Sequence, residues 1–126
     1  MDTIRYTFTK AERLLRKKEF DKVFDEGTVF KNKFLVLYVA PGAQKCSRMG
    51  LVVSKKIGNA VRRNRVKRLL REVFRLNKNR LTVPVDIVII PRNTFTSSLK
   101  LFDISAGFQQ AIHQINKNFA NEIHHN

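Results

Sequence analysis

The apolar positions along this chain alternate between helical and strand spacing, and each change of period marks the edge of an element. Thr9, Lys10, Ala11 and Glu12 have the pattern of a capping box, in which Thr9 accepts a helix N–H and Glu12 reaches back to the cap. Leu14, Leu15, Phe20, Val23 and Phe24 follow among charged residues, so a helix is predicted there, broken near Arg16 to Lys18 and stopped at Gly27. Thr28 to Phe30 is a candidate short strand. Phe34 to Ala40 is apolar throughout, rich in β-branched and aromatic residues, and ended by Pro41 and Gly42, which predicts a strand. Met49 to Val53 follows a short polar loop, so these two strands are expected to pair as an antiparallel hairpin.

After Gly58 the period becomes helical again, with Asn59 as a good N-cap. Val66, Leu69, Leu70, Val73 and Phe74 fall at i, i+3, i+4, i+7 and i+8, an apolar stripe down one side. Val85 to Ile90 is a buried strand running to Pro91. Leu101, Ile104, Phe108, Ile112, Ile115 and Phe119 then step at helical spacing, with Ser97 or Ser98 as candidate caps. Gly107 weakens that helix by roughly 1 kcal/mol relative to Ala. The expected order is α-β-β-β-α-β-α. It describes an α+β fold, a small mixed or antiparallel sheet covered by helices mainly on one face. No repeat or low-complexity stretch divides the chain, so residues 1–126 are read as one domain, with about 120–126 as a frayed tail.

Charge changes this picture most. Lys and Arg total 25 against 10 for Asp and Glu, a formal net charge of +15 at pH 7. With 126 residues and 43% hydrophobic composition, the chain can still bury one core. Self-repulsion at that level opposes compaction, so an external polyanion is expected to neutralise it. A polynucleotide and an anionic membrane are the abundant choices. Met1 to Arg5 hold no apolar signal region, and no apolar run approaches the ~20 residues of a membrane span. Cys46 is the only cysteine, which leaves no intrachain disulfide or Cys-based zinc site and fits a reducing, cytoplasmic setting. His113, His124 and His125 lack a clustered partner ligand and read as polar surface rather than a metal site.

The positive charge is concentrated between Lys55 and Arg80, where Glu72 is the only acid. At ~100° per residue, Asn64, Arg68, Arg71 and Arg75 stack opposite the Val66–Val73 stripe, flanked by Arg65 and Lys67. A merely solvated helix face mixes signs, because like charges at i, i+4 repel. Here the arginines are expected to repel with almost no acidic relief. Guanidinium forks also match phosphate oxygens two at a time, which ammonium groups do not. A nucleic-acid surface is therefore expected. A membrane-surface helix is set aside because the apolar stripe is needed to cover the sheet.

Enzymatic chemistry lacks an inventory. A protein nuclease needs clustered carboxylates for metal ions or a His pair for acid–base work, and the acids here are scattered. No catalytic or metal-binding residue is assigned. Asp86 is the odd acid, expected to pair with a neighbouring cation or to mark a sheet edge. Gly42, Gly50 and Gly58 make no phosphate-cradling motif.

The run Ser54-Lys55-Lys56-Ile57-Gly58-Asn59-Ala60-Val61-Arg62-Arg63-Asn64-Arg65-Val66-Lys67-Arg68-Leu69-Leu70-Arg71-Glu72 closely resembles the signature of the bacterial ribonuclease P protein family. The resemblance extends to Arg13-Leu14, to Glu19 through Phe24 and Gly27, to the Phe34–Tyr38 strand, and to Asp86 through Arg92. It implies a cytoplasmic protein that assembles with a large catalytic RNA to remove the 5′ leader of precursor tRNA, the RNA and Mg²⁺ doing the chemistry. No cofactor bound by the protein alone and no obligate protein partner are implied. Contacts with the catalytic RNA carry over to Arg62, Arg63, Asn64, Arg65, Lys67, Arg68, Arg71 and Arg75. Contacts with the leader carry over to Phe20, Phe24, Val36 and Tyr38, with Lys55 and Lys56 near the rim. The family fold, shared with a small ribosomal-protein domain, implies a left-handed β-α-β crossover around the basic helix, against the usual right-handed rule.

The residues alone support the leader assignment less sharply. Phe34, Val36 and Tyr38 should share one strand face and Leu35, Leu37 and Val39 the other. If helices cover only one face fully, the aromatics on the open face form a stacking platform for unpaired bases. Tyr38 fits best because its hydroxyl is easily left wet, whereas Phe24 reads as simple core. Two other binding classes stay open at this point: a general RNA-binding structural protein, and a duplex-DNA reader with its helix in the major groove.

Overall fold

The computed structural model describes residues 7–95 and 99–124, with side-chain surroundings as far as residue 120. Thr9 does form the capping box. Its N–H and Oγ1 both donate to Glu12 Oε1, at 2.9 and 3.1 Å. The box caps a single 3-10 turn, Lys10–Glu12, and not a helix. The chain then runs extended, with Arg13 bridged in parallel to Met49 and the Leu14 N–H donating to Met49 O at 3.1 Å. Helix α1 (Lys17–Glu26) starts only afterwards, so the expected break becomes a change of element. Its end at Gly27 is closed by the Gly27 N–H donating to Val23 O at 2.8 Å.

The sheet has four strands: β1 (Thr28–Lys31), β2 (Leu35–Pro41), β3 (Arg48–Leu51) and β4 (Val85–Pro91). Their spatial order is β1-β2-β4-β3. This corrects one expectation. β2 and β3 do not form a hairpin, because β4 lies between them, antiparallel to β2 and parallel to β3. The physical reason is that β2 and β4 are apolar on both faces. Such strands gain most when each has a neighbour on either side. β3 and β4 are joined by helix α2 (Ala60–Asn77), which makes the expected β-α-β crossover.

Helix α3 (Leu101–His124) closes the fold by packing on α2. Its backbone is helical through His124. The candidate caps Ser97 and Ser98 and the N-terminal residues Met1 to Arg5 lie outside the described residues.

One face of the sheet presents Leu35, Leu37, Val39, Met49, Ile87 and Ile89 to Val66, Leu70, Val73 and Phe74 of α2 and to Ile104, Phe108, Ile112, Ile115 and Phe119 of α3. All of these are buried. The opposite face carries a smaller cluster of Leu14, Val23, Ala40 and Val88, with Phe20, Tyr38 and Ile90 only half-buried against it. Helix α1 covers this second face only in part. Phe34 departs from expectation: it precedes β2 and packs toward the larger core, so it does not share a face with Val36 and Tyr38.

Candidate nucleic-acid interface

Two surfaces meet across the N-terminal segment. The first is α2. Asn59 caps it, its Oδ1 accepting the Arg62 N–H at 2.9 Å. Just before it, Gly58 has φ 150°, a conformation in which a Cβ would also strike the Arg62 side chain. Chain direction into the helix therefore depends on that glycine. The apolar stripe anchors the helix from Val66 onward, while Val61 in the first turn is 69% exposed. Val61 lies on the side of the helix away from that stripe, whereas Arg62 and Arg63 of the same turn are half-buried.

Within α2 the basic residues occupy three settings. Asn64, Arg65 and Arg68 are exposed, on the side away from the stripe. Arg62 and Arg63 are half-buried on the core side, and neither buried Nε has an acceptor among the described residues. Lys67 and Arg71 are half-buried and turn into a cleft of about 180 Å³ shared with Arg13, Leu15, Phe20 and Gly50. Arg75 corrects the expectation of a rail without acids. Its Nε donates to Glu72 Oε2 at 3.1 Å and its Nη2 to Glu72 Oε1, one turn away. That pairing holds the Glu72 carboxyl below its usual range and raises Arg75. Arg65, Lys67, Arg68 and Arg71 have no ion pair among the described residues.

The second surface is the open part of the sheet under α1. The register puts Val29, Tyr38 and Val88 in one row and Lys31, Val36 and Ile90 in the next, all pointing to the α1 side. Val36, Tyr38 and Ile90 are half-buried and Val29 is exposed. Phe20 and Phe24 of α1 border them, and the Phe24 and Tyr38 rings meet edge to face with centroids 4.9 Å apart. Phe24 was expected in the core. It is 36% exposed, and Val23 fills the buried position instead. Phe20 lies over Gly50, where a Cβ would come within 2.5 Å of the ring, so β3 must be bare there.

Lys55 and Lys56 sit exposed on the 3-10 turn Lys55–Ile57, whose Ile57 is buried. They extend from the end of β3, two strands away from β2, so the structure does not put them beside Tyr38. Lys31, directly opposite Val36, is the cation that shares the row. Sequence reasoning passed over Lys31, Val29 and Ile90. Their only signal is strand register, which the chain shows only once paired.

The odd acid is resolved. Asp86 lies on central strand β4 opposite Arg48 of β3, and both are buried. Arg48 Nε and Nη2 donate to Asp86 Oδ1 and Oδ2 at 3.1 and 2.9 Å, and Nη1 donates to Glu19 of α1. The pairing half of the expectation is met and the edge half is not. Glu19 also accepts the Leu15 and Arg16 N–H groups, both at 2.9 Å. Those amide donors, with Arg48, lower its pKa to about 2. Among the described residues no three His, Cys, Asp or Glu side chains come together as a metal site. No helix there is long and apolar enough to cross a membrane.

A family model described as Ribonuclease P matches residues 8–116. A ribonuclease P protein component of Syntrophus aciditrophicus is 41% identical over 100 residues, covering 79% of this chain and 83% of that protein. One from Petrotoga mobilis is 38% identical over 112 residues, covering 88% and 94%. Among solved structures, the ribonuclease P protein from Thermotoga maritima superposes with a TM-score of 0.75 at 32% identity, over 82% of this chain and 96% of that one. The Staphylococcus aureus protein gives a TM-score of 0.72 at 30% identity, over 86% and 97%.

Proposed function

This chain belongs to the ribonuclease P protein family, and on that premise we propose that it assembles with the catalytic RNA of ribonuclease P and helps it remove the 5′ leader from precursor tRNA. The observation that carries the reading is the build of α2. Its buried stripe fixes the helix, so Arg65 and Arg68 are presented outward, without acidic partners among the described residues. Rigid, unpaired guanidinium groups are suited to phosphate oxygens of a folded polynucleotide. Arg62, Arg63, Asn64, Arg65, Lys67, Arg68, Arg71 and Arg75 form the catalytic-RNA surface on this reading, with Arg75 the weakest member because Glu72 competes for it.

The half-covered sheet face receives the single-stranded leader. Phe20, Phe24, Val36 and Tyr38 offer apolar and aromatic surface on which unpaired bases stack, worth ~1–3 kcal/mol per base. Lys55 and Lys56 act further along the path, where they attract the backbone. The protein supplies binding and orientation. On this reading Mg²⁺ is held by the RNA, and Glu19 and Asp86 serve the protein's own fold through Arg48.

Reconstitution tests this. The chain should raise cleavage of precursor tRNA by its cognate catalytic RNA at low Mg²⁺, and an unrelated basic protein of equal charge should not. Leader removal by the protein without RNA would overturn the reading.

A further inference from the structure

A third cationic surface adjoins the α2 site on the side of the N-terminal segment. Lys10, Arg13, Arg16 and Lys45 surround a groove of about 650 Å³ between the N-terminal segment, the start of α1 and the loop joining β2 to β3. All four are exposed. Arg48 and Glu19 form its wall, and Glu19 is the one acid there. Its carboxylate is already used by Arg48 and by the Leu15 and Arg16 amides, so it offers the four cations little compensation.

Elsewhere on this molecule a cation near an acid takes it. Lys17 pairs with Asp21, Arg75 with Glu72 and Lys78 with Glu12. None of the four groove residues has an ion pair among the described residues. Arg13 instead lies over the Phe8 ring, 4.7 Å from its centroid, which holds the guanidinium in place without neutralising it. Four like charges gathered around one concave surface repel each other, and a polyanion relieves that repulsion.

Position selects the partner. On α1, Glu19 lies on the groove flank of Val23, while Phe20 and Phe24 lie on the other, and of the open-face residues Phe20 reaches the cleft beside the groove but Phe24, Val36 and Tyr38 do not. In the other direction the groove is continuous with α2. Arg13 and Leu15 line both it and the cleft that contains Lys67 and Arg71. A cationic path therefore runs from α2 across the N-terminal segment to Lys45.

We propose that Lys10, Arg13, Arg16 and Lys45 form a second phosphate-binding groove for the RNA that docks on α2, extending that contact around the N-terminal segment. The inference rests on the function proposed above and deepens it: the catalytic RNA is held along two lines, one on α2 and one in this groove.

The test measures catalytic-RNA affinity against salt for the full chain, a Lys10→Ala/Arg13→Ala/Lys45→Ala variant and an Arg68→Ala/Arg71→Ala variant. Each phosphate contact contributes ~0.9 to the log–log salt slope. The groove variant should lower the slope by about 2 to 3 and weaken binding at least tenfold near 0.15 M salt. Lys45→Glu, on a loop away from the core, should weaken binding without changing the unfolding midpoint, which guards against a folding artefact. A chelated iron tethered to Gln44→Cys in a Cys46→Ser background should cleave the catalytic RNA at one confined location. An unchanged slope together with no localised cleavage would overturn the groove. Loss of precursor tRNA affinity with an unchanged catalytic-RNA slope would overturn the choice of partner. If the α2 variant also left the slope unchanged, the underlying function would fail, and not only this extension of it.

Discussion

Arg48 and Asp86 face each other in register across the parallel β3–β4 ladder and are joined by two side-chain hydrogen bonds, of 3.1 and 2.9 Å. Both are buried, so neither charge can fall back on water if its partner is removed. Asp86→Leu should cost about 3–5 kcal/mol of folding stability, because it strands a buried guanidinium with Glu19 alone. Arg48→Met with Asp86→Leu should recover most of that loss. Urea unfolding of the two single variants and the double variant measures this. A double variant as unstable as the sum of the singles would show that Arg48 and Asp86 contribute independently and that neither single change strands a charge.

Glu19, which the same arginine contacts, makes stability depend on pH. Backbone donation from Arg16 and Leu15, reinforced by Arg48, lowers the Glu19 pKa from 4.5 to about 2. The folded state therefore binds this proton less readily than the unfolded chain. Its stabilising contribution is complete above about pH 4.5 and is lost as the pH falls toward 2. At ~1.4 kcal/mol per pKa unit the contribution is at most about 3–4 kcal/mol, and the 21% exposure of the side chain reduces it. Glu19→Gln should be less stable than the parent at pH 6, and the two should converge by pH 2. Thermal unfolding followed over that range shows whether the gap closes.

Much of this arrangement is legible in the sequence, and the unreadable part has one cause. The stripe from Val66 to Phe74 is read correctly because a helix is specified by residues three and four apart. The Asn59 cap is read correctly for the same local reason. Strand neighbours are not local. Nothing near Pro41 or Met49 says that β4, some forty residues on, will enter between β2 and β3. The only hint is that β2 and β4 are apolar on both faces. Phe24 is misassigned because burial of α1 depends on which part of the sheet it crosses, and Arg48 is overlooked because its partner lies on another strand.

The α2 surface should behave as a set of unequal cations. Arg68→Ala with Arg71→Ala should reduce the salt slope of catalytic-RNA binding by about 2, at ~0.9 per phosphate lost. Arg75→Ala should change it by less than one contact, because Arg75 must leave Glu72 before it can engage phosphate. Filter binding at several salt concentrations separates the two. Equal slopes for Arg68→Ala and Arg75→Ala would mean that the Glu72 pair opens without cost.

Tyr38 and Phe24 should act on substrate choice and leave assembly intact. Tyr38→Ala removes one ring of the edge-to-face pair and the stacking surface it offers. Preference for precursor over mature tRNA should fall by about 5- to 150-fold, the equivalent of ~1–3 kcal/mol for one stacked base. Catalytic-RNA affinity should stay within a factor of about two. Competition binding with precursors carrying and lacking a leader measures the first quantity, and direct titration the second. Equal damage to both would remove the division between the two surfaces.

Gly50 should couple the fold to the leader surface. A Cβ at this position would lie 2.5 Å from Cε1 and Cζ of Phe20 and 3.1 Å from Leu14 Cβ. Both nearby atoms belong to one ring, so the ring must shift as a whole to admit a methyl group. Gly50→Ala should therefore push Phe20 off β3 and lower stability by about 1–3 kcal/mol, the usual cost of overpacking. Phe20 also borders the open sheet face, so its displacement should weaken leader discrimination while leaving the exposed residues of α2 unaffected. Gly50→Ala combined with Phe20→Leu gives the added methyl group room, and it should regain stability without regaining leader affinity, since the ring itself is gone. If the double variant recovered leader binding as well, Phe20 would be serving only as packing and the leader would rest on Tyr38 and Phe24 alone.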